Sequence, residues 1–103
     1  MNAHITLDQH KIAEFCHRWK ITEFALFGSV LRNDFRSDSD VDVLVTFASD
    51  SHWTLFDMVH MQNELQKIVG RKVDLVSRRG IEASRNYLRR KAILSSAEVV
   101  HVA

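Results

Sequence analysis

Proline is absent from the chain, and cysteine and glycine are scarce: one cysteine and three glycines in 103 residues. A lone Cys16 excludes an internal disulfide, so cross-links do not hold the fold. No apolar run approaches the roughly 18 residues that cross a bilayer. The start, MNAHITLDQH, lacks a basic stretch followed by an apolar one, so no secretion signal is expected. Together these absences favour the cytoplasm. Without proline, punctuation falls to Gly28, Gly70, Gly80 and clusters of polar residues. Repeats and low-complexity stretches are missing. So are a Walker lysine motif, a zinc-binding helix and a Cys-x-x-Cys pair.

What is present suits one domain over residues 1–103. Hydrophobic residues make up 46% of the chain and charged ones 26%, enough for a modest core. The net charge of +1 says little about partners, but its distribution says more. Between Arg71 and Lys91, eight cations (Arg71, Lys72, Arg78, Arg79, Arg85, Arg89, Arg90, Lys91) face only Asp74 and Glu82, a net +6. Such a segment attracts an anion: a nucleotide, a nucleic acid or an acidic protein face. A solvated helix face with snorkelling arginine stems is the plainer alternative.

Hydrophobic spacing sketches the elements. Thr6 and Gln9 read as a capping box, and Ile12, Phe15, Cys16 and Trp19 follow at helical spacing, predicting a helix from about Leu7 to Lys20. The apolar run from Glu23 to Phe27, ending at Gly28, predicts a strand, and Ser29 to Asn33 a short helix. Val41 to Phe47 is rich in β-branched residues and is the clearest strand. Thr54 with Asp57 signals a second helix, marked by Leu55, Met58, Val59, Gln62, Leu65 and Val69 and stopped by Gly70. Lys72 to Ser77 predicts a strand, Ile81 to about Ser95 one long helix, and Glu98 to Val102 a last strand. The alternation implies an α/β (α+β) fold, a small mixed β-sheet with helices packed on it.

One stretch is chemically unusual. In FGSVLRNDFRSDSDVDVLV, residues 27–45, a Gly-Ser pair precedes Asp38, Asp40 and Asp42 at alternate positions. Like charges crowd at the head of an apolar strand, where burial is costly unless water or a cation solvates them. Strand side chains alternate, so Asp40 and Asp42 share a face, their Cα atoms about 6.5 Å apart. Asp74 is an acid inside the apolar run Lys72-Val73-Asp74-Leu75-Val76. If that strand neighbours Val41–Phe47, the three carboxylates can form a cup. Oxygen-only donors favour Mg²⁺ or Mn²⁺ over zinc, and paired ions in two-metal sites stand about 3.5–4 Å apart. Gly28 allows close backbone approach to a ligand, and Ser29 with the following N–H groups can bond phosphate. Asp38-x-Asp40-x-Asp42 also opens like an EF-hand loop, but Val43 and Ser49 stand where that loop needs glycine and its final acid. Asp38 then reads as a solvated turn residue.

Gly28-Ser29, ten intervening residues, then Asp40-x-Asp42 resembles the signature of the DNA polymerase β-type nucleotidyltransferase superfamily. Four fixed residues at set spacing arise by chance with a probability of order 10⁻⁵ per start position, about 10⁻³ for this chain. Leu26–Arg32 and Ser39–Val45 are similar to the minimal nucleotidyltransferases, stand-alone proteins usually paired with HEPN-domain toxins. The resemblance runs from about Glu23 to the end. It implies metal-binding and catalytic roles for Asp40, Asp42 and Asp74, with Mg²⁺, two ions, as cofactor. It implies nucleotide contacts from Gly28 and Ser29. The family's frequent Arg-Gly appears here as Arg32-Asn33, and Arg32 is carried over with the nucleotide contacts.

The implied reaction is transfer of AMP from ATP to a tyrosine of a partner HEPN toxin, the protein acting as antitoxin. The alternative is a non-catalytic antitoxin that neutralises the toxin by binding and occlusion. A nucleic-acid binder using the basic segment is a third reading. A homodimer or a hetero-oligomer with the toxin is open, since Phe56 and Trp53 are apolar positions fit for an interface. The six histidines are scattered and are read as surface or core residues. Cys16 is expected to be buried, Trp19 and Trp53 to pack in the core or an interface, and Tyr87 to pack.

Overall fold

The computed structural model describes residues 5–103. It begins with helix α1 (Gln9–Arg18), then β1 (Ile21–Phe27), a 3-10 turn (Gly28–Leu31) and β2 (Val41–Phe47). α2 (Leu55–Val69), β3 (Val73–Ser77), α3 (Arg78–Glu82), α4 (Tyr87–Ser96) and β4 (Glu98–Val102) follow. Among the described residues four strands form one sheet in the order β3-β2-β1-β4. β1 runs antiparallel to both β2 and β4, and β2 runs parallel to β3. The sheet is therefore mixed, and the β2-α2-β3 unit is a crossover connection.

Alternation along the strands divides the core. Val41, Val43 and Val45 join Phe24, Leu26, Val73 and Leu75 beneath α1 and α2 in the larger apolar cluster. Ala25, Phe27 and Leu44 face the other way and meet Ile81 of α3 and Ile93 of α4, with Val76, Leu94 and Ala97 partly buried around them. Helices thus cover both faces, one thickly and one thinly. Asp42, flanked by Val41 and Val43, falls on the thin face.

Several expectations are corrected. Asp8, not Thr6, caps α1: its carboxylate accepts the N–H groups of His10 and Lys11 at 3.1 and 3.2 Å. Leu7 is turned into the core, so the chain enters the helix one residue after it. The helix stops before Lys20, which adopts φ 56. β1 starts at Ile21, β3 at Val73, and the short helix after β1 is a 3-10 turn over Gly28–Leu31. On α2 the buried residues are Met61 and Leu65, while Leu55 and Val59 are exposed. Met58, Leu65 and Val69 of the expected stripe pack on the core, joined by Met61 and Ile68, while Leu55 and Val59 line a cavity beside the ends of β2 and β3. Thr54 and Asp57 do form the reciprocal capping box, and Gly70, at φ 79, ends the helix.

The helix expected over Ile81–Ser95 is two. Asn86 caps α4 through the Arg89 N–H at 3.0 Å, and its own N–H donates to the Ser84 hydroxyl at 3.2 Å. Such local bonds compete with helix continuation. There is also a packing reason. Ile81 and Ile93 lie twelve residues apart, so on one helix they would point about 120° apart. Breaking the helix lets both reach the Phe27–Leu44 face.

The outer edge of β3 has its own cover. Gln66 Oε1 accepts the Val73 N–H at 3.1 Å and Gln62 Oε1 accepts the Leu75 N–H at 3.2 Å. Two glutamines one helical turn apart occupy donors that would otherwise invite another strand.

Candidate active site

The thin face of the sheet carries the acidic residues. In the β2·β3 register Asp42 is the direct partner of Asp74, as Val41 is of Val73 and Val43 of Leu75. The two carboxylates therefore come from adjacent parallel strands at the same level. On the opposite side Asp42 pairs with Phe27, the residue before Gly28. Register brings the Gly28 turn, Asp42 and Asp74 together, and Asp40, just before β2, lies near enough for its charge to act on Asp42.

Two details show how tightly the turn and the acid meet. Gly28 adopts φ +76, a left-handed conformation. A Cβ placed on it would lie 2.2 Å from Asp42 Oδ2. Glycine is required here for backbone conformation and for space. Ser29 is half-buried in a turn that has no side-chain cap, and its hydroxyl has no hydrogen-bond partner among the described residues.

The loop that delivers Asp40 is organised from β3's side. The Arg71 guanidinium donates to the carbonyls of Arg36 and Ser37 and stacks 4.5 Å over the Phe35 ring. The Val41 N–H donates to the Lys72 carbonyl at 2.9 Å, locking the start of β2 to the start of β3. Asp38 is an exposed turn residue, as expected.

Electrostatics single out Asp42. It is half-buried, while Asp40 and Asp74 are exposed. Burial raises its pKa above the ordinary carboxylate range, and the neighbouring charges of Asp74 and then Asp40 push in the same direction. Arg32 and Arg89 pull it back down. Three carboxylates thus crowd together with incomplete compensation. Among the described residues no group of three or more Asp, Glu, His or Cys side chains is arranged to hold a metal ion as it stands. The trio is an open set of oxygen donors that repel one another, a donor set suited to a hard divalent cation such as Mg²⁺.

Arg32, which resemblance linked to the nucleotide, is exposed and pairs with Asp34 at 3.2 Å while reaching Asp42 electrostatically. Arg89 is the residue that sequence reasoning left among eight similar cations. Its signal is visible only in three dimensions.

A cavity of about 940 Å³ lies elsewhere. It opens at the far ends of β2 and β3, lined by Phe47, His52, Trp53, Met58, Ser77 and Arg79. The carboxylates instead occupy an open ledge.

The sequence matches the nucleotidyltransferase domain family over residues 10–100. The chain belongs to this family. Among related nucleotidyltransferases, protein adenylyltransferase MntA of Thermococcus cleftensis is 32% identical over 77 residues, 75% of each chain. A protein of Methanocaldococcus jannaschii assigned as a protein adenylyltransferase is 33% identical over 62% of this chain, and the match spans 64% of its own length, just under two thirds. A solved structure assigned as a minimal nucleotidyltransferase superposes with a TM-score of 0.68 at 32% identity, covering 89% of this chain and 88% of that one. The fold is also found in one chain of the complex between a tri-AMPylated Shewanella oneidensis HEPN toxin and an MNT antitoxin, with a TM-score of 0.62, 18% identity and coverage of 92% and 70%. The α+β architecture of this nucleotidyltransferase, with its mixed four-stranded sheet, is the one the sequence implies. Among the described residues no helix is long and apolar enough to cross a membrane.

Proposed function

We propose that the protein is an Mg²⁺-dependent adenylyltransferase, a single domain of the cytoplasm. In this reading it transfers AMP from ATP to a tyrosine hydroxyl of a HEPN-domain toxin and so acts as an antitoxin. The observation that carries this reading is the pairing of Asp42 with Asp74 beside the Gly28 turn. Support for the acceptor class comes from relatives named protein adenylyltransferase and from the fold neighbour whose partner toxin is AMPylated.

The roles follow from placement. Gly28 lets the backbone approach the triphosphate, and the free Ser29 hydroxyl donates to a phosphate oxygen. Asp40, Asp42 and Asp74 would hold Mg²⁺, which when bound neutralises charge on the α-phosphate and on departing pyrophosphate. The acceptor hydroxyl oxygen bonds to the α-phosphorus as the bond to the bridging oxygen breaks and pyrophosphate leaves. A tyrosine hydroxyl has an ordinary pKa of about 10, so its proton needs an acceptor. In this reading Asp74, exposed on β3, takes it. The open ledge fits a macromolecular acceptor, because another protein can close over it.

Intact-mass measurement of the partner toxin tests the proposal. The toxin purified with the wild-type protein and ATP should gain one or more AMP units. With Asp42→Asn it should gain none. A toxin that stays unmodified yet neutralised by both proteins would establish occlusion instead.

A further inference from the structure

The basic segment sorts itself once each side chain is traced. Arg71 is spent on the loop carbonyls of Arg36 and Ser37 and on the Phe35 ring. Arg78 donates to Thr46 Oγ1 at 3.2 Å and to Glu23 at 3.3 Å, tying β3's end to β1 and β2. Arg90 donates to the Ser84 carbonyl at 2.9 Å and lies 5.4 Å over the Tyr87 ring. These three cations hold the fold together.

Arg89 is different. Its backbone N–H is fixed by the Asn86 cap, so it sits in the first turn of α4. Ile93, four residues on, shares its helix face and is buried against Phe27 and Leu44. That contact sets which side of α4 faces the thin side of the sheet. Arg89 therefore projects from the same stripe, one turn nearer the α4 N-terminus, and its guanidinium reaches the field of Asp42. Arg32 flanks the same carboxylate from the loop after the 3-10 turn. No hydrogen bond or ion pair holds the Arg89 side chain among the described residues.

We infer that Arg89 is a nucleotide-binding residue that grips the outer phosphates of ATP, the part that departs as pyrophosphate. The inference rests on the proposed adenylyltransferase reading and adds a residue to that site. The carboxylate trio surrounds the reacting phosphate. A guanidinium standing outside the trio meets the portion of the chain that extends past it, which carries most of the negative charge. A planar fork of donors suits phosphate oxygens. Arg89 is exposed, so the contact requires no rearrangement of the core.

The test is calorimetric titration of the full chain with ATP and with AMP, each with Mg²⁺, after melting curves show that every variant is folded. Arg89→Ala should weaken ATP binding by about 10- to 100-fold, the range of a charged hydrogen bond, and leave AMP binding unchanged. Arg89→Lys should recover part of the loss. Arg85→Ala, an exposed cation earlier in the same segment, should bind both nucleotides as the wild type does. If Arg89 is only a counterion for Asp42, Arg89→Ala will bind ATP as well as or better than the wild type, which overturns the inference while the function stands. Equal losses in Arg85→Ala and Arg89→Ala would reduce the effect to general charge and overturn it too. Absence of ATP binding by the wild type would overturn the functional reading, and this inference with it.

Discussion

Replacing Gly28 by alanine should separate stability from activity. Gly28 holds φ +76, and an L-residue in that region costs roughly 1–2 kcal/mol. For a domain of this size such a loss lowers the melting temperature by about 5–15 °C. The new Cβ would also lie 2.2 Å from Asp42 Oδ2 and 3.2 Å from Asp42 Cγ. That oxygen ends a short side chain and can swing aside by about 1 Å, so relief of the clash adds little to the folding cost. The displaced atom belongs to the central carboxylate, however. A misplacement of about 1 Å in a catalytic constellation can cost on the order of 100-fold in rate. Gly70 supplies the control. It has nearly the same φ, +79, but a Cβ there meets nothing within 4 Å. Thermal melts of Gly28→Ala and Gly70→Ala should therefore agree within about 1 kcal/mol. Adenylyl transfer should collapse by about 100-fold or more in Gly28→Ala and stay near wild type in Gly70→Ala. Full activity in a folded Gly28→Ala protein would refute the close packing of turn and acid on which the site is built.

Asp42 holds its proton more tightly in the folded chain than in the unfolded one, through burial and then the charges of Asp74 and Asp40. The folded state thus binds more protons across that range, and metal-free stability should fall as pH rises from about 4 through the raised folded value. Asp42→Asn should remove this loss and melt higher than wild type at neutral pH without Mg²⁺, while abolishing transfer; a lower melting point would contradict it. Burial pushes the Cys16 thiol up to about 11, so a thiol reagent at pH 8 should label it only when denaturant is added, and rapid labelling of the native protein would be the opposing result. Gln62→Ala with Gln66→Ala should uncover the β3 edge, costing about 1 kcal/mol per lost bond and raising light scattering on heating.

Much of this was legible because the sequence signals were local and agreed with one another. The β-branched run from Val41 to Phe47 and the capping box at Thr54 each point to one answer, and the structure takes it. Asp74 was legible as an anomaly, an acid in an apolar strand, and the parallel β2·β3 register turns that anomaly into a partner for Asp42. What stayed hidden depends on tertiary choices. Thr6 and Asp8 are both competent caps, and the burial of Leu7 decides between them. The break after Glu82 answers a need to bury Ile81 and Ile93 on one sheet face, which no helical period can express. Gln62 fits the apolar stripe by spacing, yet its work is to cap a strand edge. Arg89 is one arginine among many until α4 is docked.

The central claim is that Asp40, Asp42 and Asp74 act beside Gly28-Ser29 to move an adenylyl group. Incubation of the protein and the HEPN-domain toxin proposed as its partner with Mg²⁺ and ATP labelled at either the α- or the γ-phosphate tests it most directly. Label from the α-position should appear on the partner, label from the γ-position should not, and Asp42→Asn should transfer neither. Transfer of the γ-label, or an undiminished α-signal from the Asp42→Asn protein, would contradict it.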